Sequence, residues 1–112
     1  MAVQVILNQK KGPLPLTVSL NALSDGPSCL VVYGSVWTQT AGQTIGIEVS
    51  LDAKAVGTAS IFSNLQATHR AVVPTYIPVT LKFGPHQLSL SAAPGSTTIS
   101  DINDFFTVVL EY

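Results

Sequence analysis

The chain has 112 residues, of which five are basic and six acidic, for a net charge of −1. A chain of that length carries one hydrophobic core, so a single domain over 1–112 is expected. Only 10% of the residues are charged and 46% are hydrophobic, where ordinary domains devote about a quarter of their residues to charge. With basic and acidic residues nearly cancelling, the sequence offers no electrostatic footprint for nucleic acid or for an anionic membrane surface. No apolar run approaches the roughly 18 residues of a membrane-spanning helix, and Met1-Ala2-Val3-Gln4 does not open like a signal peptide. A soluble protein without membrane insertion is expected, with its compartment left open.

In chain order, Lys10-Lys11 before Gly12-Pro13 reads as a solvated turn. Leu14, Leu16, Val18 and Leu20 then alternate with Pro15, Thr17 and Ser19, the period of a strand with one dry and one wet face. After the turn Asp25-Gly26-Pro27 comes Cys29–Trp37, and after Ala41-Gly42 the alternating strand Ile45–Leu51. Asp52-Ala53-Lys54-Ala55 has the length of a tight hairpin into a strand over Val56–Phe62. Gly84-Pro85 introduces a further alternating strand through His86, Leu88, Leu90 and Ala92, and Pro94-Gly95 ends it. Asp101-Ile102-Asn103-Asp104 reads as a turn whose Asp and Asn side chains bond their own backbone, leading into the last strand, Phe105–Tyr112. No stretch has a helical period. Short, evenly spaced strands with turns between them predict an all-β antiparallel sandwich of about eight to nine strands.

Two strands depart from simple alternation. Cys29–Trp37 carries Leu30, Val32 and Val36 on one face and Cys29, Val31, Tyr33 and Trp37 on the other; Phe105–Tyr112 carries Phe105 and Val109 against Phe106, Val108, Leu110 and Tyr112. A two-layer sandwich dries only one face of each sheet. Leaving about five large apolar side chains wet would forgo roughly 8–15 kcal/mol, comparable with the whole stability of a domain, about 5–15 kcal/mol. With no helix to act as a lid, a second copy of the chain is the expected cover. The side chains assigned to that interface are Tyr33, Trp37, Phe106, Val108 and Tyr112. The lone Cys29, within the apolar run Cys29-Leu30-Val31-Val32, forms no intrachain disulfide and reads as a small hydrophobe.

Eight or nine short strands, a central two-faced strand and a two-faced apolar strand at the C-terminus together resemble the jelly-roll domains of the tumour-necrosis-factor and C1q-like superfamily. The resemblance implies that the first and last strands, here Val3–Asn8 and Phe105–Tyr112, share the sheet that packs against neighbours around a threefold axis. It extends to architecture and assigns no receptor-binding or metal residue.

The sequence is sparse in chemistry. It contains no G-x-S-x-G elbow, Gly-rich phosphate loop, C-x-x-C or H-E-x-x-H, so no enzyme, cofactor or metal site is expected. His86 shares a strand face with Leu88 and Leu90 and reads as a strand-end histidine at the core margin. Trp37 precedes the polar loop Thr38–Gln43, and a sugar ring stacks on aromatic faces with few charges needed. Trp37, Gln39, His69 and Arg70 are therefore the candidate ligand-binding residues. The expected function is a non-catalytic oligomeric interaction or structural module, a homotrimeric jelly roll; the alternative is a carbohydrate-binding, lectin-like domain. Its partners are then copies of itself, with a glycan or another protein as a further ligand.

Overall fold

In a computed structural model, residues 2–112 are described, and they form nine strands in two antiparallel sheets with no helix among them. The strands are β1 (Val3–Lys11), β2 (Leu16–Ala22), β3 (Gly26–Val36), β4 (Gln43–Leu51), β5 (Lys54–Ser63), β6 (Arg70–Ala71), β7 (Thr75–Leu81), β8 (Gly84–Ala92) and β9 (Phe105–Glu111). One sheet runs β1-β9-β3, with β7 and then β6 pairing successive stretches of the far edge of β3; the other runs β2-β8-β4-β5. This is the predicted jelly-roll sandwich. The first and last strands are hydrogen-bonded neighbours, and β9 lies between β1 and β3.

The alternating strands behave as their period demands. Leu20 and Ala22 of β2, Ile45, Ile47, Val49 and Leu51 of β4, and Leu88 and Leu90 of β8 are buried between the sheets. Their alternates turn outward as cross-strand polar pairs: Thr17 opposite Ser89, Ser19 opposite Gln87, Glu48 opposite Ser91 and Thr58. The β2-β8-β4-β5 sheet thus has one dry face and one wet face.

The other sheet is apolar on both. Inward, β3 presents Leu30, Val32 and Val36 and β9 presents Phe106, Val108 and Leu110, all fully buried in the core. Phe106 and Val108, which the sequence reading assigns to the oligomer interface, are therefore core residues, and half-buried Tyr112 packs against the same core. The reason lies in Gly34. It pairs with Phe106 across the ladder, and a Cβ on Gly34 would stand 2.6 Å from the Phe106 ring. The ring fills the space that a side chain at 34 would take, which sets the register of β9 and turns Phe105 and Val109 outward.

Outward, Val5, Val109, Val31 and Tyr76 form one continuous row across β1, β9, β3 and β7. Val3, Glu111, Cys29 and Pro78 form the next row, and Thr107 pairs with Tyr33 on the other side. Val3, Val5, Tyr33, Tyr76 and Phe105 are 41–61% exposed. Tyr33 keeps the outward position expected of it.

The β4–β5 hairpin has the two-residue loop Asp52-Ala53, with φ of 52° and 66°. Positive φ at both positions is the tight-hairpin conformation matching strand twist, normally filled by Asn, Asp or Gly. Asp52 suits it, and its carboxylate accepts hydrogen bonds from Gln87 N at 2.9 Å and His86 Nδ1 at 2.6 Å. Ala53 gains nothing from its Cβ in that conformation. Ala53→Gly is expected to raise stability by about 0.5–1 kcal/mol in urea unfolding.

The His86 ring is pinned on both sides, its Nε2–H donating to Lys82 O at 2.7 Å. The Lys82 carbonyl and the Asp52 carboxylate raise the His86 pKa, and the His86 hydrogen bond, with that of Gln87 N, lowers the Asp52 pKa. A raised histidine stabilises fully below about pH 6.5 and loses its contribution as pH rises through its folded value; a lowered aspartate stabilises above about pH 4 and loses its contribution as pH falls through its folded value. The melting-temperature gap between the protein and Asp52→Asn should therefore be widest between about pH 4 and 6.5 and close on either side. A gap independent of pH would show that the pair does not contribute through its charge.

Candidate functional site

The two ends of the sandwich differ. At one end the strands are joined by tight turns: Asp52-Ala53, the β7–β8 turn at Lys82-Phe83, and the β2–β3 turn, where Asp25 Oδ1 accepts Phe83 N at 2.6 Å. At the other end gather the longer connections, residues 37–42, 64–69 and 93–104. Trp37 opens the first of these, tied by an isolated bridge to Ile99 with backbone hydrogen bonds of 2.9 and 2.8 Å.

Around Trp37 the loops bring together a polar cluster centred on Asp104, whose side chain is fully buried at the entrance to β9. Its Oδ1 accepts the Ser35 hydroxyl at 2.6 Å and His69 Nδ1–H at 2.6 Å, and its Oδ2 accepts Asp101 N–H at 2.8 Å. A buried carboxylate needs such donors, because its desolvation is otherwise uncompensated. Gly12 closes the cluster from the β1 side: its N–H donates to Asp104 O at 2.9 Å, and a Cβ there would stand 2.6 Å from Asp101 O. The Asp101–Asp104 turn is held by its own backbone, with Asp104 N donating to Asp101 O and Asn103 N to Asp101 Oδ1.

His69 lies over Asp104 with its side chain 37% exposed. Its Nε2 stands 3.7 Å from Asp101 Oδ2, beyond hydrogen-bond length, and its ring centroid lies 5.8 Å from that of Trp37, tilted by 45°. Trp37 Nε1–H is buried and has no acceptor among the described residues. The hydroxyl of Ser35 is bonded to the carboxylate and not to the imidazole, so Ser35, His69 and Asp104 are not in the nucleophile–base–orienter order of a hydrolytic triad.

Of the four sequence-predicted ligand residues, Trp37 and His69 meet. Gln39 stands exposed in the loop after Trp37, and Arg70 is half-buried at the start of β6, paired with Val36. Arg70 forms no ion pair among the described residues. Trp37 follows the end of β3, and its ring packs beside His69 in this cluster. Ser35, Asp101 and Asp104 are the partners that sequence reasoning missed. Their only signals were His69 and the Asp101–Asp104 turn, more than 30 residues apart, and nothing in that spacing joins them.

Removing the central carboxylate should be costly. Asp104→Ala leaves the Ser35, His69 and Asp101 donors facing a buried void, and hydrogen bonds to a charged group are worth about 1.5–3 kcal/mol each before compensation. A loss of about 2–4 kcal/mol in urea unfolding is expected, whereas Asp101→Asn, at an exposed position, should cost under about 1 kcal/mol.

No family model matches this sequence, and no curated protein matches it. Its fold, in contrast, is widespread among solved structures. The Eiger TNF of S. frugiperda superposes with a TM-score of 0.59 at 10% identity, over 98% of this chain and 85% of that one. The CBM36-1 domain of a multidomain xylanase from the hindgut metagenome of Trinervitermes trinervoides gives 0.54 at 10% identity, over 99% and 98% of the two chains. The CBM35 from Cellvibrio japonicus Abf62 gives 0.54 at 16% identity, over 92% and 67%. Larger proteins match only in part: a β-glucosidase from Paenibacillus barengoltzii gives 0.62 at 10% identity over 97% of this chain, which spans 10% of that enzyme. These likenesses show the fold: the jelly-roll architecture shared by a tumour-necrosis-factor domain and by carbohydrate-binding modules.

Proposed function

We propose that the chain is a non-catalytic homo-oligomeric module, joined to its own copies through the outer face of the β1-β9-β3-β7 sheet, with three copies in the assembly. The observation that carries this reading is the contrast between the two outer faces. One is a field of Thr, Ser, Gln and Glu with Phe62 exposed on its edge strand; the other exposes Val3, Val5, Tyr33, Tyr76 and Phe105 around half-buried Val109 and buried Val31.

Four strands about 4.8 Å apart, crossed by residue rows over some 20 Å, mark out roughly 300 Å² before side-chain relief is added. That is the size of the largest patch on a typical monomer, and such patches mark interaction sites. The face also suits a copy of itself. Its charges lie at opposite ends, with Lys11 beside Phe105 and Glu111 beside Cys29, so the patch carries no net charge to repel an identical neighbour. The threefold arrangement draws support from the likeness to tumour-necrosis-factor domains, in which the sheet holding the first and last strands faces the axis. Here β1 and β9 are adjacent in the apolar-faced sheet.

The carbohydrate-binding reading draws support from its fold neighbours. Against it, the half-buried Trp37 ring already has the His69 ring tilted beside it in the loop cluster.

Light scattering of the purified protein at micromolar concentration is expected to give three times the chain mass. Val5→Lys combined with Tyr76→Lys, both at exposed positions, should give a folded monomer with an unchanged circular dichroism spectrum. A parent protein that is itself monomeric would overturn the reading, and glycan-array binding by that monomer would favour the alternative.

A further inference from the structure

We propose that His69 Nε2 and Asp101 Oδ2 together bind one divalent ion of the zinc type, with Asp104 holding the imidazole from behind. Three features of the cluster lead there.

The first is the direction in which His69 is fixed. Asp104 is buried and already accepts two other donors, and its Oδ1 accepts the hydrogen bond from His69 Nδ1–H. An imidazole held through Nδ1 in this way presents Nε2 as its ligand nitrogen, on the other side of the ring. A buried carboxylate behind a histidine whose other nitrogen faces solvent is the usual outer-shell support of a metal-binding imidazole.

The second is a distance. Nε2 and Asp101 Oδ2 stand 3.7 Å apart, too far for a hydrogen bond. Two zinc bonds of about 2.0–2.2 Å from these atoms would meet at about 115–135°, somewhat wider than tetrahedral. Asp101 is also set in orientation, because its Oδ1 accepts Asn103 N–H at 2.8 Å and leaves Oδ2 unspent.

The third is access. The His69 and Asp101 side chains are 37% and 39% exposed, so an ion can enter and complete its shell with water. His69, Asp101 and the supporting Asp104 each bring a donor atom within 4.8 Å of the others. Two carboxylates near one imidazole attract a cation, and the imidazole selects zinc, nickel or copper over calcium, which takes oxygen ligands. With two protein ligands the site binds more weakly than a closed structural zinc site of four.

The chain's single tryptophan makes the test direct, since Trp37 is the only one in the sequence and its ring lies 5.8 Å from that of His69. Tag-free protein is titrated with Zn2+ by calorimetry and with Ni2+ while Trp37 emission is followed. One ion per chain is expected, with saturable quenching by Ni2+. Asp101→Asn should weaken binding at least tenfold while leaving the melting temperature nearly unchanged, because Asn still accepts the Asn103 N–H. Asp104→Asn should weaken it about 10–100-fold, and His86→Ala should leave it intact. The proposal is overturned by an absence of saturation at millimolar Zn2+, by Asp101→Asn binding as well as the parent, by loss of binding in His86→Ala, or by Ca2+ binding as tightly as Zn2+. None of these results depends on the oligomeric state.

Discussion

Phe106 seats its ring over the bare Cα of Gly34, and three separate properties of the protein follow from that contact. The ring occupies the centre of the core, where it is fully buried among residues of both sheets. It pins β9 in register between β1 and β3, since a one-residue slip would send Phe106 to solvent and bring Phe105 inward. It also delivers Asp104, two residues earlier, to Ser35, the next residue after Gly34. Core, outer face and polar cluster therefore share one determinant.

The outer face is a consequence of that register. Once Phe106, Val108 and Leu110 are inside, Phe105 and Val109 stand outward in line with Val5, Val31 and Tyr76. Val31, paired across the ladder with Val109 and Tyr76, is almost fully buried although it stands outside the core cluster. The surface is thus partly packed within one chain and still open at its rim, where Val3, Val5 and Tyr76 remain more than half exposed.

The polar cluster works on the opposite principle. In a chain with few charges, Asp104 is fully buried, and the loops around it are arranged to satisfy its oxygens. Gly12, Ser35, His69 and Asp101 come from four different segments and converge because the long connections lie at the same end of the sandwich. The energy of burying that carboxylate is offset by its donors, and the by-product is an imidazole held rigidly with its Nε2 facing outward.

The all-β class, the sandwich and the β4–β5 hairpin were legible in the sequence, because period-two alternation and turn residues are local signals; the adjacency of the first and last strands was implied only by the resemblance to a jelly-roll superfamily. The two-faced character of Cys29–Trp37 and Phe105–Tyr112 was legible too, as an excess of apolar side chains over the one dry face a sandwich provides. Which face of the last strand turns inward was not, since a two-faced strand satisfies the pattern in either register. The choice fell to a steric fit between Phe106 and a glycine some 70 residues away. The meeting of His69 with Asp101 and Asp104 was hidden for a related reason: loops carry no period, and only the packed strands beneath them decide which loops become neighbours.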